Sequence, residues 1–467
     1  MSSVVVVGGG PVGLMLACEL ALNHVRPIVL ERLTEIDRRP KAGAVTGRGA
    51  ELLDRRGLTP PDAGAWPFTP RPVHPDSLLA KGKPGAGHFA GMFVLTGGPG
   101  TVMIPQQQLE ADLAACAVEL GVDLRRGHTL VDLDTVQGPD GRYELDADWI
   151  VGCDGGRSSV RKLAGFGFPG TDGISTGYQA VVELDDPEFH PHGWFRKEHG
   201  LLVHGPMPGR VMTLEFDGPP LHRDSEITRE ELQRSLRRLS GTQVQVTEVR
   251  AVTRFTDNAR QADSYRRGRV LLAGDAAHVH SPWGGPGLRL GLCDAVNLGW
   301  KLAAVARGLA GADLLDTYTV ERHPVAARAL ELQRASVALL SPGPHVSALR
   351  DVVSGLLDHE DANRWLTAAM GDLDLGPFCP DLSLDGGPRV GELQRTGRGL
   401  LLDLADDPGL RAVAEGWSDR VEVVTGRCEQ VSDRALLVRP DGQIAWRSGD
   451  AEPLREQLTR WFGISHS

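Results

Sequence analysis

Residues 4–20 read VVVVGGGPVGLMLACEL, and the architecture follows from them. Four consecutive valines make the short apolar run expected of a strand buried on both faces. Glycines at 8, 10 and 13 then form a G-x-G-x-x-G turn, and Leu14, Leu16, Ala17 and Leu20 repeat at helical spacing. Gly8 permits the tight turn, Gly10 lets a pyrophosphate approach the backbone, and Gly13 lets the helix pack closely on the strand. The glycine turn opens a helix whose N-terminal free N–H groups and partial positive charge suit phosphates. RPIVLE at 26–31 reads as a second buried strand, closing a β-α-β unit of the length a parallel crossover needs. Glu31 ends that strand, where a carboxylate can accept ribose hydroxyls, and Arg32 follows it. Strand, glycines, helix and acid together predict a dinucleotide site in an α/β fold.

Outward from this unit, residues 60–100 are rich in Pro and Gly and are expected to be loops. A helix is predicted over 109–120, and a small set of strands over 122–151, ending at WIVGCDGG. Between 176 and 256 the stretches YQAVVEL, GLLVHG, RVMTLEF and QVTEVRAVTRF suggest an antiparallel sheet with one polar helix near 230–239. RVLLA at 269–273 is another buried strand, and helices are expected over about 292–306 and 312–340. Composition shifts to Gly, Pro and Asp over 371–388, which reads as a linker before a separate small α/β unit ending in a helix at 454–462. The expected divisions are 1–175 and 259–370 for two parts of a nucleotide domain, 176–258 for an inserted sheet domain, and 371–467 for the C-terminal unit.

Bulk properties exclude several classes. With 467 residues, 41% of them hydrophobic, the chain can build two or three cored domains. A net charge of −11 argues against nucleic acid or an anionic membrane as partner. No stretch approaches the roughly 20 apolar residues of a membrane-spanning helix. MSSVVVVGGG lacks the basic flank and apolar length of a signal peptide, and the six cysteines form no C-x-x-C pair. A cytoplasmic location without zinc or a disulfide framework is therefore expected. His278 and His280 stand two apart with no third ligand in view, so a metal reading is outweighed. GRSSVR at 156–161 offers a phosphate loop or, alternatively, a helix cap at Ser158 or Ser159 with Arg161 on the surface.

A second constellation lies far downstream. Gly274-Asp275-Ala-Ala-His278 follows a strand, and Pro282-Trp-Gly-Gly-x-Gly287 precedes a helix. A carboxylate at a strand end and a glycine-rich helix start, some 260 residues from the first motif, can grip the far end of one extended cofactor.

These motifs, with CDGGRSSVRKLAG at 153–165, GRVLLAGDAAHVHSPWGG at 268–285, DAVNLGWKLA at 294–303, LLDTYTVERHPVA at 314–326 and DRALLVRPDGQIAWR at 433–447, resemble the FAD-dependent aromatic hydroxylases related to p-hydroxybenzoate hydroxylase. The likeness is greatest to the subgroup acting on aromatic polyketides and phenols. It implies a Rossmann-type FAD-binding domain, an inserted antiparallel-sheet substrate domain and a thioredoxin-like C-terminal domain. By the same resemblance, Gly8, Gly10, Pro11, Gly13, Glu31 and Arg32 match the ADP-binding motif. Arg48 in GRGAELLDRRGL matches a cofactor-contacting arginine, and Gln106 in IPQQQLE a glutamine near the flavin. Asp154 matches an Asp-Gly motif serving FAD and the nicotinamide donor, and Asp275 the ribityl-binding aspartate. Pro282, Gly284, Gly285, Gly287, Leu288 and Arg289 match the loop beside the isoalloxazine.

That loop departs from its family. Gly-Gly-Gln-Gly-x-Asn is usual; here Pro286 replaces glutamine and Arg289 replaces asparagine. Arg289 is expected either at the flavin's pyrimidine edge or turned outward to solvent or a carboxylate. The activity implied is monooxygenation: NADPH or NADH reduces non-covalent FAD, and one atom of dioxygen enters an electron-rich aromatic, by best match a polyketide of antibiotic biosynthesis. No side chain is assigned as acid or base. Baeyer–Villiger oxygen insertion, and a flavin-binding protein with a non-oxidative or scaffold role, stay open as alternatives. The expected assembly is a monomer or homodimer.

Overall fold

The fold was obtained as a computed structural model, which describes residues 2–59, 74–78, 87–90, 93–95, 100–205, 207–223, 225–283, 285–371, 376–450 and 452–465. The loops expected across 60–100 lie largely outside the described residues. The helices used below are α1 (Pro11–Leu22), α2 (Arg48–Asp54), α3 (Gln106–Glu119), α4 (Ser159–Leu163), α5 (Arg229–Ser240), α6 (Pro286–Ala306), α7 (Asp316–Leu340), α8 (Pro344–Leu357) and α9 (Glu360–Gly371).

Val4–Val7 lies inside a six-stranded sheet, and all four valines are buried. Ile28–Glu31 and Trp149–Gly152 flank it in parallel. Asp123–Arg126 continues the sheet on one side and Val270–Leu272 on the other, both parallel, with Arg266–Arg267 as an antiparallel edge. Helices α1, α3 and α6 supply Leu14, Leu16, Leu113, Leu292 and Val296 to the same core. The valine run is apolar because neither face of its strand meets water. α6 begins at Pro286, earlier than the expected 292, because Pro286 occupies its first turn, where a missing N–H costs nothing.

A five-stranded antiparallel sheet runs in the order Gly193–Lys197, Gly200–His204, Arg210–Glu215, Thr176–Leu184, Val246–Phe255. α5 covers one face with Leu232, Leu236 and Leu239, while its polar face places Arg238 against Glu215 at 2.9 Å. The other face, through Leu201, Val203 and Leu214, shares a core with Trp283, with Val337 and Leu339 of α7, and with Leu366 of α9. The inserted sheet thus sits directly over the loop that precedes α6.

Four strands form the C-terminal sheet in the order Val421–Thr425, Gly399–Asp403, Ala435–Val438, Ile444–Arg447. One face carries a core of its own, with Cys379, Leu382, Val390, Leu400, Leu402, Leu436 and Val438, and the other is shared. Trp300 of α6 and Leu314 pack with Leu401, Trp417, Trp461 and Phe462. The C-terminal unit therefore packs one face of its sheet on α6. The expected linker is partly structured too, since Phe378 pairs with Gln443 and Ser383 with Arg389.

Candidate active site

The first glycine turn is built as its spacing requires. Gly8 has φ +111°, and a Cβ on it would lie 2.3 Å from the Cys153 carbonyl oxygen. A Cβ on Gly13 would lie 1.9 Å from the Gly8 oxygen, so α1 and the first strand meet backbone to backbone. At Gly10 an added Cβ meets nothing within 4 Å, so the N-terminus of α1 opens into space beside Pro11. Glu31 is already engaged, with one oxygen accepting the Gly9 N–H at 2.7 Å and the other the Leu33 N–H at 2.8 Å. Each oxygen keeps a further lone pair for a ligand hydroxyl. Arg32 is exposed. Nearby, an open depression is lined by Glu35, Ile36, Arg38, Gln107, Gln108 and Arg126, and Nη1 of Arg126 is buried without a hydrogen-bond partner.

Gln106 starts α3, its N–H donating to the Ala42 oxygen at 2.9 Å. Arg48 starts α2, where Nη1 meets Glu51 at 2.6 Å and the guanidinium lies over the Phe378 ring at 3.4 Å.

Asp154 and Asp275 stand just beyond the ends of the adjacent parallel strands Trp149–Gly152 and Val270–Leu272. One oxygen of Asp154 accepts the N–H groups of Ser159 at 2.6 Å and Val160 at 3.2 Å. Its other oxygen, Oδ1, is buried and unpaired. Ser158 caps α4 by accepting the Arg161 N–H at 2.9 Å. Arg161 is not on the surface, as the capping alternative had it. It is 5% exposed, donates to the carbonyls of Ala276 at 2.8 Å and Gly156 at 2.9 Å, and lies over Phe168. Two loops converging at neighbouring strand ends leave bare carbonyls, and a cation reaching across satisfies both.

Asp275 is exposed in the single turn Gly274–Ala276 and takes no hydrogen bond from the described residues. The loop that carries it is held from below by Asp294 of α6. The Asp294 carboxylate accepts the Gly274 N–H at 3.1 Å, meets His278 Nε2 at 2.6 Å and accepts Arg322 Nε at 2.8 Å. Burial opposes its ionisation, but His278 and Arg322 more than offset this and hold the carboxyl below its ordinary range. Nothing in DAVNLGWKLA or TVERHPVA by itself assigns Asp294 or Arg322 a role. Both are ordinary helix residues until α6 and α7 bring them under the Gly274 loop.

In the loop before α6, Pro282 accepts the Gly285 N–H at 3.1 Å and Gly285 adopts φ +66°; Gly284 lies outside the described residues. Gly287 faces His280, Leu288 packs against the main core, and Trp283 is 1% exposed. Arg289 does not turn outward to solvent: it is 6% exposed and its Nη2 donates to the Met370 oxygen at 2.7 Å. The last turn of α9 leaves that carbonyl without a helical donor, and Arg289 supplies one.

Two nucleotide-facing loops at the ends of a parallel sheet, joined under an antiparallel sheet, define a flavin-binding oxidoreductase. Residues 1–333 match the FAD binding domain, and residues 373–465 match the aromatic-ring hydroxylase C-terminal domain. The chain is 38% identical to the 12-dehydrotetracycline 5-monooxygenase/anhydrotetracycline 6-monooxygenase of Streptomyces rimosus, with 98% of each covered. It is 37% identical to the dialkyldecalin synthase of Streptomyces rugosporus, with 99% of each covered. The solved structure of CabE, an aromatic hydroxylase from angucycline biosynthesis, superposes with a TM-score of 0.88 at 38% identity over 100% of both chains. The chain belongs to the FAD-binding family of aromatic-ring hydroxylases. It is a flavoprotein monooxygenase that works on an aromatic small molecule with dioxygen. Among the described residues no helix is long and apolar enough to cross a membrane.

FAD suits what is present. The open N-terminus of α1 offers N–H groups to a pyrophosphate, the orphaned Oδ1 of Asp154 lacks a donor, and the free Asp275 carboxylate can accept hydroxyls.

Proposed function

We propose that this enzyme inserts one oxygen atom into an aromatic polyketide, using NADPH or NADH as electron donor. In this reading a Rossmann-type FAD-binding domain (1–175 and 259–370) carries an inserted substrate sheet (176–258) and a thioredoxin-like C-terminal domain (371–467). Gly8, Gly10, Pro11, Gly13, Glu31 and Arg32 would hold the ADP half of FAD. Arg48, Gln106 and Asp154 would flank its centre. Asp275 would take the ribityl hydroxyls, and Pro282, Gly285, Gly287, Leu288 and Arg289 would border the ring. Bound FAD supplies the redox and oxygen-transfer chemistry.

The chain's own contribution is orientation and exclusion of water. Trp283 carries this reading. Its ring stands edge-on to Trp194 at 5.5 Å and to Phe255 at 6.0 Å, at the seam between the pre-α6 loop and the inserted sheet. This buried aromatic packing fixes the loop against the inserted sheet, between which a flat polycyclic substrate would lie, shielded from water.

The test supplies candidate polyketides with NADPH or NADH and follows donor oxidation, oxygen uptake and product mass. Gain of one oxygen as a phenol supports the proposal, whereas an ester product assigns Baeyer–Villiger insertion instead. The similarity to a dialkyldecalin synthase, together with Pro286 and Arg289 in the flavin loop, favours one second reading: a non-oxidative reaction with FAD as a bound support. Turnover of substrate with no donor consumed and no mass gained would establish it.

A further inference from the structure

We propose that Phe378 of the C-terminal unit is a positioning residue for Arg48, so that this unit contributes to cofactor affinity although it carries none of the nucleotide-binding loops. The proposal rests on the reading of Arg48 as a cofactor contact.

The geometry is specific. The Arg48 guanidinium carbon lies 3.4 Å from the centroid of the Phe378 ring, and that of Arg55 lies 4.4 Å from the same centroid. Arg55 is fixed independently, by the Gln394 side chain and by the Cys379 carbonyl at 2.6 Å. The ring is seated by its own unit. Phe378 pairs with Gln443, the Cys379 N–H donates to the Gly442 oxygen at 2.9 Å, and a Cβ on Gly442 would come within 2.4 Å of the ring. Position 442 therefore admits only glycine while the ring is there. Arg48 also borders a small polar pocket, shared with Cys293, Asn297, Glu321, Arg322 and Asp441, at the seam between the FAD-binding part and the C-terminal unit.

Stacking has a definite consequence for a guanidinium. Its five N–H donors lie in the ring-like plane, so contact through a face leaves the edges able to donate. The aromatic face attracts the charge without neutralising it. An arginine already restrained by Phe378 and Glu51 loses less side-chain freedom when it meets the anionic middle of FAD, and binding is tighter for that reason.

The experiment titrates full-length apo-protein with FAD, reading quenching of flavin fluorescence, with thermal unfolding recorded alongside. The variants are Phe378→Ala, Phe378→Leu, Phe378→Trp, Arg48→Ala and the double Arg48→Ala/Phe378→Ala. Phe378→Ala and Phe378→Leu are expected to weaken FAD binding roughly three- to thirtyfold. Phe378→Trp should stay near the parent, and the double variant should bind no worse than Arg48→Ala alone. If Phe378→Leu binds FAD like the parent while Arg48→Ala is weakened, the ring is only a filler and the proposal fails. Equal losses from Phe378→Ala with and without Arg48 overturn it as well. If Arg48→Ala itself leaves affinity unchanged, the underlying reading of Arg48 is what has failed.

Discussion

Asp275 sits in the Gly274 loop and Asp294 lies beneath it on α6, and the two have opposite surroundings. The first is exposed with no protein donor, while the second is buried and satisfied by Gly274, His278 and Arg322. A carboxylate without internal partners can be removed with little harm to the fold. Asp275→Ala should therefore leave the melting temperature nearly unchanged while weakening FAD roughly ten- to a hundredfold, the value of a charge-assisted hydrogen bond of about 1.5–3 kcal/mol. Titration of the apo-protein measures it, and unchanged affinity would sink the assignment. Arg289 joins two helices by its bond to the Met370 oxygen. Asparagine is too short to span that distance, so Arg289→Asn should speed amide hydrogen exchange across 360–371. Exchange at the parental rate there would deny the residue this anchoring role.

Among the elements, the strand Gly200–His204 is buried along its whole length, and its last residue is titratable. His204 meets the His190 carbonyl at 2.7 Å and lies near His192, with ring centroids 4.0 Å apart. Burial pushes its pKa down from 6.5 to about 4. Between those values the unfolded chain binds a proton that the folded chain refuses, so stability falls as pH drops through the window. The contribution is complete above 6.5 and gone below about 4. His204→Gln keeps a side-chain N–H but does not titrate, and its melting temperature should fall less steeply than the parent's over that range. Parallel curves for the two proteins would place the acid sensitivity elsewhere.

Across the whole molecule, α6, α7 and the C-terminal unit meet in one charged network. Lys301, 0% exposed in its side chain, reaches Glu321 at 2.8 Å; Glu321 also takes both arms of Arg439, which pairs with Asp441. Burial lowers the Lys301 pKa from 10.5 to about 8. Here too the unfolded chain binds more protons within the window, so stability gains as pH rises from about 8 towards 10.5. The stability difference between the parent and Lys301→Met should widen in the parent's favour over that interval, as denaturant titration at several pH values will show. The same unit carries two thiols, 49 residues apart in sequence, with Cys428 packed against the cluster that buries Cys379. Cys379 is fully buried and burial raises its pKa to about 11, and Cys428 has no cysteine neighbour within its loop. Thiol exchange needs an accessible thiolate and a resolving partner. A disulfide-reductase assay should accordingly give no turnover, and appreciable turnover would refute a purely packing role.

Local signals were legible in the sequence because their physics is local. The valine strand, the glycine turn and the apolar spacing of α1 each follow from a few consecutive residues, and Asp275 stands out at the end of a predicted strand, whereas Asp154 is reached only through the family resemblance. Tertiary structure alone decided the partners. Asp294 reads as an unremarkable helix residue until the chain returns it beneath Gly274, twenty positions earlier. Arg161 reads as a surface cation until bare carbonyls at converging loops claim it, and nothing in the spacing announces that Arg289 also reaches a carbonyl of α9. Arg48 meets Phe378 only because the C-terminal sheet finishes its core on Trp300. Periodicity reports which face of an element is buried, whereas the partner of a buried charge depends on which distant segment arrives there, and no spacing along the chain records that.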